Sequence, residues 1–185
     1  MDGRLIDAHV ELLRTPSDDD WMRCKLLAIG TEGKTRVVTP PDYEWRVRML
    51  RARHSPIRTL MFTIRMEVPY WVSVHYVRHK IGVEHYVRSQ RNDRQHDYDR
   101  NSAPQDMPVV HVMDVNADAL ITMMQKRLCG KAAVETRDVV SQIREAVDMA
   151  CPEFQRADML PPCLCGGCRE FVPCGRFEEA DHARD

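Results

Sequence analysis

Between Leu60 and Val68 the chain alternates: Leu60, Phe62, Ile64, Met66 and Val68 fall on one face, a period of two that predicts a strand over 59–68. Pro69 breaks the alternation and opens a helix expected to reach about His79. A weaker apolar pattern over 4–14 reads as a first strand, and VVHVM at 109–113 as another. Ser17, followed by Asp18 to Asp20, signals an N-cap and acidic first turn for a helix to about Ile29, ended by Gly30 and Gly33. Thr39 before Pro40 and Pro41 repeats the start signal ahead of DYEWRVRMLRA. Asn116 marks the start of a helix whose stripe is Ala117, Leu120, Ile121, Met124 and Leu128. After Gly130 a second helix carries Val139, Val140, Ile143 and Val147 to about Ala150. Residues 92–107 are polar and read as a loop, and from Pro152 onward Pro, Gly and Cys dominate.

Length and charge narrow the function classes. A chain of 185 residues is one domain with at most a small appendage. Its formal net charge is −1 with 30% charged residues, so it has no general attraction to nucleic acid or acidic membranes. Phosphate binding must therefore come from a local cluster. No apolar run approaches the roughly 20 residues of a membrane helix. The opening MDGRLIDAHVELLRT lacks a signal-peptide core, so the expected compartment is the cytoplasm.

That local cluster exists. The apolar stretch around Trp71, Val72, Val74, Tyr76 and Val77 runs directly into Arg78, His79 and Lys80, with Ser89-Gln90-Arg91 a little further on. Cations emerging from buried structure need counter-charge, and no equally dense acidic cluster lies nearby in sequence. A phosphorylated ligand satisfies that need, because guanidinium grips phosphate in a two-pronged fork. Ser89 and its neighbouring N–H groups add neutral donors.

These residues resemble the signature of the flavin-dependent thymidylate synthases: an Arg-His-Arg triplet, a spacer, and Ser-x-Arg. Here the elements are Arg78-His79-Lys80, eight residues, and Ser89-Gln90-Arg91. His54-Ser55-Pro56 is similar to the family's His-x-Ser-Pro element. Asn116, Arg127, Ala132, Glu135 and Arg137 match its downstream positions, and the likeness spans roughly residues 50–150. The resemblance implies an α/β fold, an antiparallel sheet flanked by helices, with residues 1–153 as the flavin- and nucleotide-binding domain and 154–185 as a Cys-rich tail. It implies conversion of dUMP to dTMP, with methylenetetrahydrofolate as carbon donor, FAD as cofactor and NADPH as reductant, in a homotetramer with sites at subunit interfaces. By the same resemblance, His54, Arg78, His79, Lys80, Ile81, Asn116 and Arg127 meet the cofactor. His75, Arg78, Ser89, Gln90, Arg91 and Arg137 meet the nucleotide, with Arg137 at the uracil edge as the catalytic group. No nucleic acid or membrane partner is expected.

The chain departs from the pattern in several places. Lys80 replaces the second Arg and loses its planar fork. The spacer is one residue longer. His75 stands at a Gln position, Asp118 at an Arg position, Ala133 at a Gln position and Asn92 at a Tyr position. Two alternatives stay open beside the thymidylate synthase: a paralogue that acts on another uridine nucleotide or is catalytically silent, and a nucleic-acid-binding module with a Cys-rich metal site. In the tail, Cys163, Cys165, Cys168 and Cys174 follow a C-x-C-x2-C-x5-C pattern. Structural Zn²⁺, an iron–sulfur cluster, a disulfide and reduced, packed thiols all suit that spacing.

Overall fold

The computed structural model describes residues 8–94, 99–157, 159–164 and 167–175. Among them four strands form one antiparallel sheet, β1 (His9–Arg14), β2 (Met61–Pro69), β3 (Val83–Val87) and β4 (Pro108–Asn116), in the order β1-β2-β4-β3. The α/β class and helix-flanked antiparallel sheet are as expected. The alternation over 59–68 becomes β2, whose Phe62, Ile64 and Met66 are fully buried. β2 pairs along its whole length with β4, from Met61 opposite Asn116 to Pro69 opposite Pro108. The other face stays part-exposed and polar, with Thr63 donating to the Asp114 carboxylate across the β2–β4 pair at 2.6 Å.

Among the described residues five α-helices supply much of the rest of the core. α1 (Asp18–Gly30) starts at Ser17, whose hydroxyl accepts from the Asp20 N–H while the Asp20 carboxylate accepts from the Ser17 N–H. α2 (Tyr43–Arg51) starts at Asp42, three residues beyond the expected Thr39, because the Asp42 carboxylate accepts from the Trp45 N–H at 2.8 Å. Pro40 and Pro41 therefore lie before the cap instead of in the first turn. α4 (Ala117–Arg127) is capped by Asn116, and α5 (Val134–Ala150) buries Val139, Val140, Ile143 and Val147 as its stripe predicts. The core continues past residue 153: Phe154 is fully buried and meets the Phe62 ring edge-on at 5.1 Å, and Ala157 and Met159 are buried with it.

Two departures from the expected elements shape the site. α3 (Tyr70–Tyr76) ends three residues before His79. The chain then turns, and Val83–Val87, expected to be only a spacer, forms β3 at the sheet edge against β4. Arg78, His79 and Lys80 consequently sit in a tight connection between helix and strand. No helix among the described residues is long and apolar enough to cross a membrane.

Candidate functional site

The connection from Val77 to Gly82 is clamped at both ends. The His79 N–H donates to the Tyr76 carbonyl at 2.9 Å, and the Asn116 N–H donates to the Gly82 carbonyl at 3.0 Å. Gly82 sits at φ +74°, where an L side chain is strained. A Cβ there would also stand 2.2 Å from Asn116 Nδ2. This clamp presents Arg78, Lys80 and Ile81 outward, and Ile81 is 93% exposed, unusual for an isoleucine. Opposite lies the N-terminal end of α4. Between them opens a cavity of about 760 Å³, lined by Arg58, the 78–83 segment and α4 residues Asn116, Asp118, Ala119 and Thr122. That size suits a nucleotide-scale ligand.

Asp118, where the resembled family has Arg, is held by two arginines. Arg53, at φ +52°, donates from Nε to Asp118 Oδ1 at 2.6 Å and from Nη2 to the Asp118 carbonyl and Thr122 Oγ1. Arg58 donates from Nε to Asp118 Oδ2 at 3.1 Å while its side chain stays 63% exposed on the cavity. Arg53 is thus committed to the fold, and Arg58 is a cavity cation that sequence reading missed. Its only sequence signal is its place just after His54-Ser55-Pro56.

A second cavity, about 380 Å³, shares Arg78 and His79 with the first. Lys126, Arg127 and Lys131 line it, with Cys129 and Ala132, and Glu170 of the C-terminal segment reaches in to pair with Lys126 at 3.3 Å. Arg127 donates from Nε to His79 Nε2 at 2.9 Å and from Nη2 to the His75 carbonyl at 2.7 Å. Burial and the neighbouring Arg78 pull the Arg127 pKa down, while the Tyr76 hydroxyl opposes that.

His79 is not the cation that the triplet suggests. Burial, and then Arg127 and His85, push its pKa down to about 4, so the ring is neutral at pH 7. The positive charge belongs to the exposed Arg78 and Lys80 on either side.

Of the expected cofactor residues, the larger cavity gathers Arg78, His79, Lys80, Ile81 and Asn116, and Arg127 joins from the smaller one. His54 is exposed, makes no side-chain cap bond, and lines neither cavity. The nucleotide set is not assembled within one chain. His75 hydrogen-bonds through Nδ1 with Thr136 Oγ1 at 2.6 Å and packs edge-on against Trp71. Burial first, then Arg127 and Arg78, lower its pKa. Arg137 donates to the Gly130 carbonyl at 3.0 Å, which fixes the α4–α5 connection. Ser89, Gln90 and Arg91 follow β3 away from both cavities, and Arg91 pairs with Asp93 at 2.6 Å. These positions are set by the extra strand: β3 carries the chain along the sheet edge before Ser89 is reached.

In the tail, Cys165 lies outside the described residues. Among the described residues no three His, Cys, Asp or Glu side chains are placed to hold one metal ion. Cys163 is pushed upward in pKa by burial and then by Cys129, Cys168 and Cys174, so the thiols do share one region. Cys129, from the end of α4, was not part of the expected set.

Taken as a whole, the fold and site define an α/β protein with a cationic, nucleotide-sized cleft at one end of an antiparallel sheet. No family model matches the chain, and no curated protein matches it. Among solved structures it is similar to a UMP/dUMP methylase, PolB from Streptomyces cacaoi, crystallised with 5-Br dUMP. The identity is 15%, the TM-score 0.63, and the match covers 84% of this chain and 98% of that one.

Proposed function

We propose that this protein methylates a uridine 5′-monophosphate, dUMP in the first instance, with FAD, methylenetetrahydrofolate and NADPH. The observation that carries this reading is the pair of cationic cavities meeting at Arg78 and His79, on a fold shared with a UMP/dUMP methylase. The residues present suit FAD at its phosphate end: Arg58, Arg78 and Lys80 give fixed cations for a pyrophosphate, and exposed Ile81 gives an apolar contact. When bound and reduced, the flavin supplies the hydride of the reaction. The protein's share is binding and orientation. Arg58 and Arg78 hold negative charge from opposite walls. Neutral His79 offers a hydrogen bond without attracting a second anion, and Arg127 fixes that ring.

Within this reading Ser89, Gln90 and Arg91 act across a subunit boundary in a homotetramer, since in one chain they lie off both cavities. The same applies to His54. His75 and Arg137 already have partners inside the chain and support the site through Thr136 and the α4–α5 connection.

The test is direct. Purified protein is expected to carry or take up FAD with a flavin absorbance band. It is expected to release tritium from dUMP labelled at C5 when the folate and NADPH are supplied. Protein that takes up no FAD and releases no tritium from dUMP or UMP overturns the proposal.

A further inference from the structure

A line of hydrogen bonds runs from the smaller cavity into the centre of the sheet. Arg127 Nε–H donates to His79 Nε2 at 2.9 Å, so the proton of neutral His79 sits on Nδ1. The His79 carbonyl is 2.8 Å from His85 Nε2 on β3, and a carbonyl only accepts, so His85 carries its proton on Nε2. With that tautomer, His85 Nδ1 accepts from His111 Nε2 on β4 at 2.9 Å. His111 is fully buried, and its Nδ1 has no partner among the described residues. One tautomer assignment therefore satisfies every bond, and the leftover atom is an acceptor lone pair, cheaper to bury than an orphaned N–H.

The outer end of this line matters for ligands. His79 lines both cavities, and no described residue accepts from its Nδ1–H. We propose that His85 and His111 are positioning residues that tie the cationic turn to the sheet and, with Arg127, hold His79 as an uncharged Nδ1–H donor aimed at a ligand carbonyl oxygen. The class of ligand atom is an amide- or imide-type oxygen on a heterocyclic ring, while Arg58, Arg78 and Lys80 serve the phosphate. This rests on the reading of the cleft as a uridine nucleotide and flavin site.

The surroundings keep His79 and His111 uncharged. The groups that act on His79 are Arg127 from α4 and His85 from β3, and Arg78 and Lys80 flank it in the chain. Burial and His85 hold His111 at about 4, and His79 lies at about 4 as well. Both rings are therefore free to play these roles throughout the neutral range.

The experiment uses the full chain and two readouts. Long-range ¹H–¹⁵N spectra of the histidine rings at pH 7, with His79 assigned by its loss in His79→Asn, are expected to show the neutral Nδ1–H form. An imidazolium, or a proton on Nε2, overturns the proposal whether or not a nucleotide binds. For the positioning role, His85→Gln keeps an N–H donor for the His79 carbonyl and His85→Phe removes it. With dUMP as the probe, His85→Phe is expected to weaken binding roughly tenfold, the loss of one hydrogen bond's worth of order. His85→Gln is expected to stay within about threefold of wild type, as a conservative rescue should. Equal binding by His85→Phe and wild type overturns the positioning role. Should His85→Phe fail to fold, His111→Phe replaces it, breaking the same line one step inward with the ring volume kept. Wild-type protein that binds neither dUMP nor UMP sinks the nucleotide reading instead, and the ring spectra still decide the tautomer.

Discussion

Gly82→Ala is the sharpest local test of how the turn is built. Gly82 sits at φ +74°, so alanine there incurs about 1 kcal/mol of backbone strain. Its Cβ would stand 2.2 Å from Asn116 Nδ2 and 2.9 Å from Asn116 Cγ, closer than any real contact, so the Asn116 side chain must leave. That side chain caps α4 by accepting from the Ala119 N–H at 2.9 Å, and losing such a cap costs about 1 kcal/mol. The total destabilisation expected is about 2–3 kcal/mol, measured by urea unfolding with an unchanged m-value. Asn116→Ala alone should cost about 1 kcal/mol. The double variant decides the mechanism: with the side chain gone the clash is relieved, so the two effects should fall short of additivity by about 1 kcal/mol. Strict additivity, or a Gly82→Ala protein within about 0.5 kcal/mol of wild type, would refute the account of Asn116 as the wall against which the turn closes.

Acid should weaken the fold through His111. Its folded pKa of about 4 lies below the ordinary value of 6.5, so the unfolded chain takes up the proton first; this stability is full above pH 6.5 and lost as pH falls toward 4. The loss amounts to about 2 kcal/mol at pH 5, and urea titrations at pH 7.5 and 5 should show His111→Gln with a flatter pH dependence than wild type. Arg58→Gln should weaken binding of a phosphorylated ligand about tenfold or more and reduce its salt dependence, with stability nearly unchanged, since the side chain is 63% exposed; calorimetry with dUMP and FAD at two ionic strengths reads both effects. Phe154→Ala should cost about 3–5 kcal/mol by thermal or urea unfolding, because the ring is fully buried against Phe62; a loss below about 1 kcal/mol would show that the segment after α5 is not part of the core.

What the sequence made legible were features written within a few residues. The alternation of β2, the Ser17 cap with its acidic first turn, the Asn116 cap and the α5 stripe each depend on local spacing, and each appears in the fold. Asp42 displaced Thr39 as a cap because two such signals lay three residues apart and only the carboxylate's reach to the Trp45 N–H separates them. β3 escaped notice because VEHYV stands between two motif elements, and its justification is the partner strand β4, some twenty residues later. The candidate site divides the same way. Arg78, Lys80 and Ile81 are legible as a run, whereas Arg58 and Lys131 reach the cavities only through tertiary packing. The neutrality of His79 was invisible for a stronger reason. It depends on burial, on Arg127 far along the chain, which also fixes the ring tautomer, and on His85 across the turn.

The distribution of charge says what kind of anion such a cleft can admit. The formal net charge of the whole chain is −1, yet Arg58, Arg78 and Lys80 face one cavity, and Lys126, Arg127 and Lys131 the other, against only Asp118 and Glu170. The rest of the protein must therefore be more acidic than the whole. A small phosphate ester entering the cleft meets mainly cations on its walls. Arg78 stands in both cavities, so its charge is shared between them, and an anion bound in one lowers the positive potential felt in the other. The arrangement favours two small ligands of unequal charge over two equal ones. Neutral His79 in the common wall works in the same direction, since it adds a donor where a further cation would have drawn a second phosphate.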